Sequence, residues 1–131
     1  MAAISFTYYP PNSRPSPKGD GDIKKKAEAL SKHPDTPYTT LATGMICRIA
    51  LHEWLDTVDP LATLPRMQAP IATRKEHVSF SNGGDDLETR LEKLRAPEQS
   101  KYKHLNNARI YVIGINAWLD AKIAFYGVVV P

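Results

Sequence analysis

Sliding the chain against itself by 64 residues aligns positions 19–58 with 83–122 without a gap, and this self-similarity limits the possible folds more than any other feature. Identities fall at Gly19/Gly83, Asp22/Asp86, Glu28/Glu92, Leu30/Leu94, Tyr38/Tyr102 and Leu41/Leu105. They continue at Ile46/Ile110, Ile49/Ile113 and the run Trp54-Leu55-Asp56/Trp118-Leu119-Asp120. Eleven of forty positions match, and both tryptophans of the protein pair with each other. Ile23/Leu87, Lys26/Arg90 and Leu51/Ile115 add conservative pairs. A fixed internal period implies one supersecondary unit used twice.

The first part of each unit reads as a short amphipathic helix. Ile23, Ala27 and Leu30 recur at i, i+4 and i+7, as do Leu87, Leu91 and Leu94, which gives each helix one apolar stripe. Asp22 and Asp85 suit N-caps, with Glu88 completing a capping-box variant. Pro34 and Pro97 close the two helices, because proline disfavours the α-region for the residue before it. The second part of each unit is longer and more apolar. Thr39 or Thr40 is expected to cap a helix running to about Val58, with Gly44, Arg48, His52 and Asp56 as its polar stripe. Its counterpart is expected from about Asn107 to Tyr126, where Gly114, Ala117, Ala121 and Ala124 form a row that admits a close neighbour. Residues 109–115 are rich in β-branched side chains, yet the equivalent segment 45–51 has helical spacing, so the repeat favours helix.

These patterns predict an all-α fold: two repeated short-long helical hairpins, residues 20–58 and 84–122, in a four-helix arrangement within one domain, 20–131. A proline-broken connector, 59–83, joins them. Pro10, Pro11, Pro15 and Pro17 make residues 1–19 an extended arm of polyproline type. Its aromatic residues Phe6, Tyr8 and Tyr9 are expected to lie mostly outside their own bundle, on another subunit or on nucleic acid. The alternative is an arm folded back on its own domain. Two long helices apolar on most sides also call for cover, which self-association would supply.

No enzyme active site is recognisable. The single Cys47 excludes an internal disulfide and any cysteine-based metal site; among Ile46, Ile49 and Ala50 it reads as a buried structural thiol. His33, His52, His77 and His104 lack metal-ligand spacing, and Gly83-Gly84 lacks the strand and lysine of a phosphate loop. No metal and no cofactor is expected. Asp56 and Asp120 recur beside tryptophan, which suits helix-end polar contacts better than acid–base chemistry. Trp54 and Trp118 read as core anchors. Residues 1–9 lack a basic segment and a long apolar run, so no signal peptide is expected. Asn116, Asp120 and Lys122 interrupt the apolar stretch 110–130, so no membrane span is expected either.

Net charge is only +3, but it is segregated. Arg14 and Lys18 lie in the arm, Lys24, Lys25 and Lys26 in the first short helix, Arg66, Arg74 and Lys75 in the connector. Lys101, Lys103 and Arg109 precede or open the last helix, and the acids gather at Asp85, Asp86, Glu88 and Glu92. Basic clusters outside the apolar stripes suit a polyanion partner, and these eleven residues are the candidate nucleic-acid contacts.

Small size, a basic proline-containing arm, and short helices followed by strongly apolar ones resemble the coat proteins of filamentous archaeal double-stranded DNA viruses. The resemblance lies in the layout of the chain. It implies a structural protein that self-associates as a homo- or hetero-oligomer and wraps double-stranded DNA, placed in the virion or inside the host cell. The alternatives are a small helical regulator or inhibitor of a cellular protein, and a duplicated helical DNA-binding protein.

Overall fold

In the computed structural model the described residues are 3–8, 23–64, 76–81 and 87–130. Within them the order is β1 (Ala3–Tyr8), α1 (Ile23–Lys32), α2 (Thr43–Thr57), β2 (Glu76–Ser81), α3 (Leu87–Arg95) and α4 (Asn107–Tyr126). A strand, a short helix and a long helix thus occur twice in the same order. The fold is mostly helical, with a small two-stranded sheet.

Each short helix buries the stripe its spacing defines. Ile23, Ala27 and Leu30 of α1 are fully buried, and Leu87, Leu91 and Leu94 of α3 nearly so. The long helices α2 and α4 pack against each other. Ile46, Cys47, Ala50 and Leu51 are the buried residues of α2, and Ile110, Ile113, Ile115 and Leu119 are among those of α4. The approach is close at Gly114, where a Cβ would lie 2.3 Å from Cε3 of Trp54. The indole therefore rests on α4 backbone. Ala117, Ala121 and Ala124, on the same row, are exposed. Gly127 ends α4 in the left-handed region at φ 65°; Val128 N–H then donates to Ile123 O at 3.0 Å, and Val128 tucks into the core.

The turns between short and long helices share a hydrogen-bond pattern. Thr36 Oγ1 donates to Leu30 O at 2.8 Å and accepts from Tyr38 N–H at 3.3 Å. Ser100 Oγ donates to Leu94 O at 2.7 Å and accepts from Tyr102 N–H at 3.2 Å. Every atom of the second set lies 64 positions after the first. Each hydroxyl satisfies a carbonyl that the end of a short helix leaves without an intrahelical donor.

Contacts between the halves recur in the same way. Tyr38 meets Trp118 edge-on, centroids 5.2 Å apart, and Tyr102 meets Trp54 at 5.7 Å. Lys26 Nζ pairs with Asp120 at 2.6 Å. Arg90 pairs with Asp56 and also reaches His52 Nδ1 at 3.0 Å. Asp56 is thus a helix-end polar partner, as its place beside tryptophan suggests, whereas Asp120 sits within α4, six residues before its end. Trp118 is buried and donates Nε1–H to Glu53 at 2.8 Å; Trp54 is half-buried against the same core.

Three expectations need correction. The fold is not all-α, because β1 and β2 pair antiparallel. Ala3–Tyr8 of the N-terminal arm does not lie outside its own bundle: β1 pairs within the chain, and Phe6 is 4% exposed in the core, while the arm's residues 9–19 lie outside the described residues. The first proline stands at position 10, so Ala3–Tyr8 keeps every N–H a ladder needs. Likewise the connector is not irregular throughout, since β2 occupies its proline-free end. The cap of α2 also differs. Ala42 holds the N-cap position without a side-chain hydrogen bond, and Thr40 takes a positive φ of 69°. The helix starts three residues after that turn. Asp22 and Asp85 lie outside the described residues.

Thr36→Val and Ser100→Ala should each lower stability by about 1–3 kcal/mol, because each removes the acceptor of a buried N–H, Tyr38 or Tyr102, and a donor to the helix-end carbonyl. Urea midpoints of the two variants check this; an unchanged midpoint would show that the turns do not depend on these hydroxyls.

Candidate nucleic-acid interface

The two strands build a ribbon with two unlike faces. Its register pairs Ala3 with Ser81, Ile4 with Phe80, Ser5 with Ser79, Phe6 with Val78, Thr7 with His77 and Tyr8 with Glu76. Side chains alternate between faces along a strand, so Ile4, Phe6, Val78 and Phe80 share one face. That face is the packed one: Phe6, Val78 and Phe80 are buried, and Ile4 packs against the same core. Ser5, His77 and Ser79, of the opposite parity, are exposed. The outward face therefore offers hydroxyls and an imidazole, groups that both donate and accept hydrogen bonds.

The long helices hold the ribbon from below by their first turns. A Cβ on Gly44 would sit 2.5 Å from Ser79 O, so only glycine lets α2 approach the backbone of β2 this closely. From α4, the Tyr111 ring meets the Phe6 ring at 5.7 Å; burial pushes the Tyr111 phenol up from its ordinary value, so the ring stays neutral. Both long helices thus begin at the ribbon. Ala42 provides no side-chain cap, while Asn106 Oδ1 accepts from Arg109 N–H at 2.8 Å. Remaining first-turn N–H groups have no intrahelical acceptor, and a helix N-terminus attracts anions.

The eleven basic residues singled out in the sequence divide into three groups. Lys101, Lys103 and Arg109 are exposed, in the turn before α4 and in its first turn. On α1, Lys25 is exposed and Lys24 half-buried. Lys26 is committed internally, donating to Asn116 Oδ1 at 3.2 Å besides pairing with Asp120. Arg14, Lys18, Arg66, Arg74 and Lys75 lie outside the described residues.

The outward ribbon residues Ser5, His77 and Ser79 were not among the sequence candidates, although a signal for them exists. Ile4-Ser5-Phe6-Thr7 and Val78-Ser79-Phe80-Ser81 are the same short pattern. They are 74 positions apart, whereas the helices repeat at 64, because Tyr8 to Ile23 spans ten residues more than Asn82 to Leu87. A single gapless offset passes over them.

No protein-family model, no curated protein and no solved structure matches this chain. Among the described residues, no three His, Cys, Asp or Glu side chains gather as a metal site, and no helix is long and apolar enough to cross a membrane.

Cys47 is fully buried, and burial pushes its thiol up to about 12. The thiolate that reacts with disulfide reagents is therefore suppressed. Cys47 should stay unlabelled by a chromogenic disulfide in the native protein and react fully in denaturant. Stoichiometric labelling of the native chain would contradict this packing.

Proposed function

We propose that the chain is a duplicated strand–helix–helix unit that binds double-stranded DNA, laying its β-ribbon in the major groove with the outward face toward the base edges. One observation carries the reading: a two-stranded antiparallel ribbon is apolar on the face against the helices and exposes Ser5, His77 and Ser79 on the other. Seen as structure alone, a two-stranded sheet needs no exposed chemistry, and any polar side chains would serve.

Dimensions support the proposal. Strands of six residues at about 3.4 Å per residue run for about 20 Å, with about 4.8 Å between strands. The major groove is about 12 Å wide and admits such a ribbon, and β-ribbon readers are an established class. The first turns of α2 and α4 meet the ribbon, and phosphates would find the helix N-termini there together with Arg109, exposed in the first turn of α4. In this arrangement the phosphate contacts set position and the ribbon sets sequence.

A sequence-tolerant, self-associating coat on DNA is the second reading. It is favoured by Phe125 and Val129, which are 77% and 85% exposed near the end of α4, as a subunit contact would require.

Titration of the full chain against unrelated duplexes at several salt concentrations separates the readings. For the groove reader, Ser5→Ala and Ser79→Ala should each reduce discrimination between sites by about ten- to a hundredfold, as loss of a base contact worth about 1–3 kcal/mol implies. Lys103→Ala should weaken all duplexes alike and lower the salt slope by about 1. Equal affinity for all sequences, with filaments forming on DNA, would favour the coat. Absence of binding at low salt would remove both and leave a protein-binding regulator.

A further inference from the structure

The two strands carry nearly the same residue types at equivalent register positions, and the one position that differs in kind has a consequence for the target. Turning the ribbon about the Ser5–Ser79 pair exchanges Ile4 with Val78 and Phe6 with Phe80, so buried positions map onto buried positions. The same turn exchanges Thr7 with Ser81, two hydroxyl residues, and Ser5 with Ser79, two serines. It exchanges Ala3 with His77. Alanine has a methyl group and no hydrogen-bonding atom. His77 is exposed on the outward face, at the end of the ribbon where it pairs with Thr7.

Resting on the groove reading above, we infer that the chain recognises a non-palindromic duplex element in one fixed orientation, and that His77 is the residue that sets the orientation. A chain whose strands were identical would read two equal half-sites, because the symmetry of a target mirrors the symmetry of its reader. Here the central half-site positions are read alike by Ser5 and Ser79. The outer position of one half faces an imidazole, which offers a ring N–H to the acceptors a purine shows in the major groove. The register equivalent of His77 on the other strand is Ala3, a residue type with no hydrogen-bonding side-chain atom to offer the other half. Phosphate contacts from Arg109 and the helix N-termini hold either orientation on any sequence and so do not choose between them.

The test is selection of bound sites from a random duplex pool with three full-length proteins: the natural chain, His77→Ala, and the exchange variant carrying Ala3→His with His77→Ala. The natural chain should enrich a site with related inner halves and one extra fixed base pair at one outer position, its purine on one defined strand. His77→Ala should lose that preference by about ten- to a hundredfold, the loss of one base contact, and keep the inner pattern. The exchange variant should bind the original site turned end for end. Cleavage by an iron chelate on Lys103→Cys reads that reversal, Cys47 being too buried to take the label. A perfect inverted repeat from the natural chain would overturn the inference, and so would an asymmetric site unchanged by His77→Ala. In both of those cases an inner pattern that Ser5→Ala or Ser79→Ala abolishes leaves the groove reading standing. A pool with no enriched sequence overturns the groove reading and this inference together.

Discussion

Trp54 resting on the backbone of α4 at Gly114 is the contact on which the rest of the arrangement depends. It sets how near the two long helices run, and so how near their first turns lie beneath one ribbon. A side chain at position 114 would meet the ring at well below contact distance. Overpacking of this kind costs about 1–3 kcal/mol when the neighbours can shift; a tryptophan wedged between Tyr102 and helix backbone has little room to do so. Moving α4 outward would also pull Tyr111 from Phe6, and with it the underside of the ribbon. A two-stranded sheet has little stability of its own and needs a packed face.

The polar contacts between halves contribute differently from the aromatic ones. Asp120 and Asp56 are 58% and 69% exposed, so water screens both ion pairs and their net worth is small. Their value is geometric: each ties a short helix to the long helix from the other half. Lys26 is the less replaceable partner. At 13% exposure and bound to Asn116 as well, its ammonium would be left poorly solvated if Asp120 were lost. Buried hydroxyls at Thr36 and Ser100 matter more to stability than either pair, since no water replaces them.

The helices were legible from the sequence because their signal is local. Ile23, Ala27 and Leu30 announce a stripe within eight residues, and the repeat transferred that reading to 109–115, where β-branched residues argued for a strand. The ribbon was less legible for two physical reasons. Strand pairing joins Ser5 to Ser79 across most of the chain, and nothing in either hexapeptide alone names its partner. The prolines at 10, 11, 15 and 17 also drew the whole N-terminal segment into one extended class, although they mark only where the strand must end. Net charge gave a list of cations but no geometry: Lys26 and Lys25 are neighbours in sequence, and only the second is exposed.

A single chain carrying both units, as proposed, has a freedom that two identical subunits lack. Linking them makes pairing of the halves intramolecular, so it no longer depends on concentration, and each half can then change alone. Buried positions differ as well as exposed ones, as at Ala27/Leu91, Cys47/Tyr111 and Ala50/Gly114. The exposed cations Lys101, Lys103 and Arg109 correspond at the 64-residue offset to Pro37, Thr39 and Met45. The longer strand-to-helix segment, with Arg14 and Lys18, belongs to the first half, while α4 exceeds α2 by five residues. The core contacts kept at equal spacing are those that hold the halves together: tyrosine on tryptophan, base on aspartate, hydroxyl on carbonyl. The exposed cations are among the positions that differ, as expected where the contacts joining the halves are kept and recognition is free to become unequal.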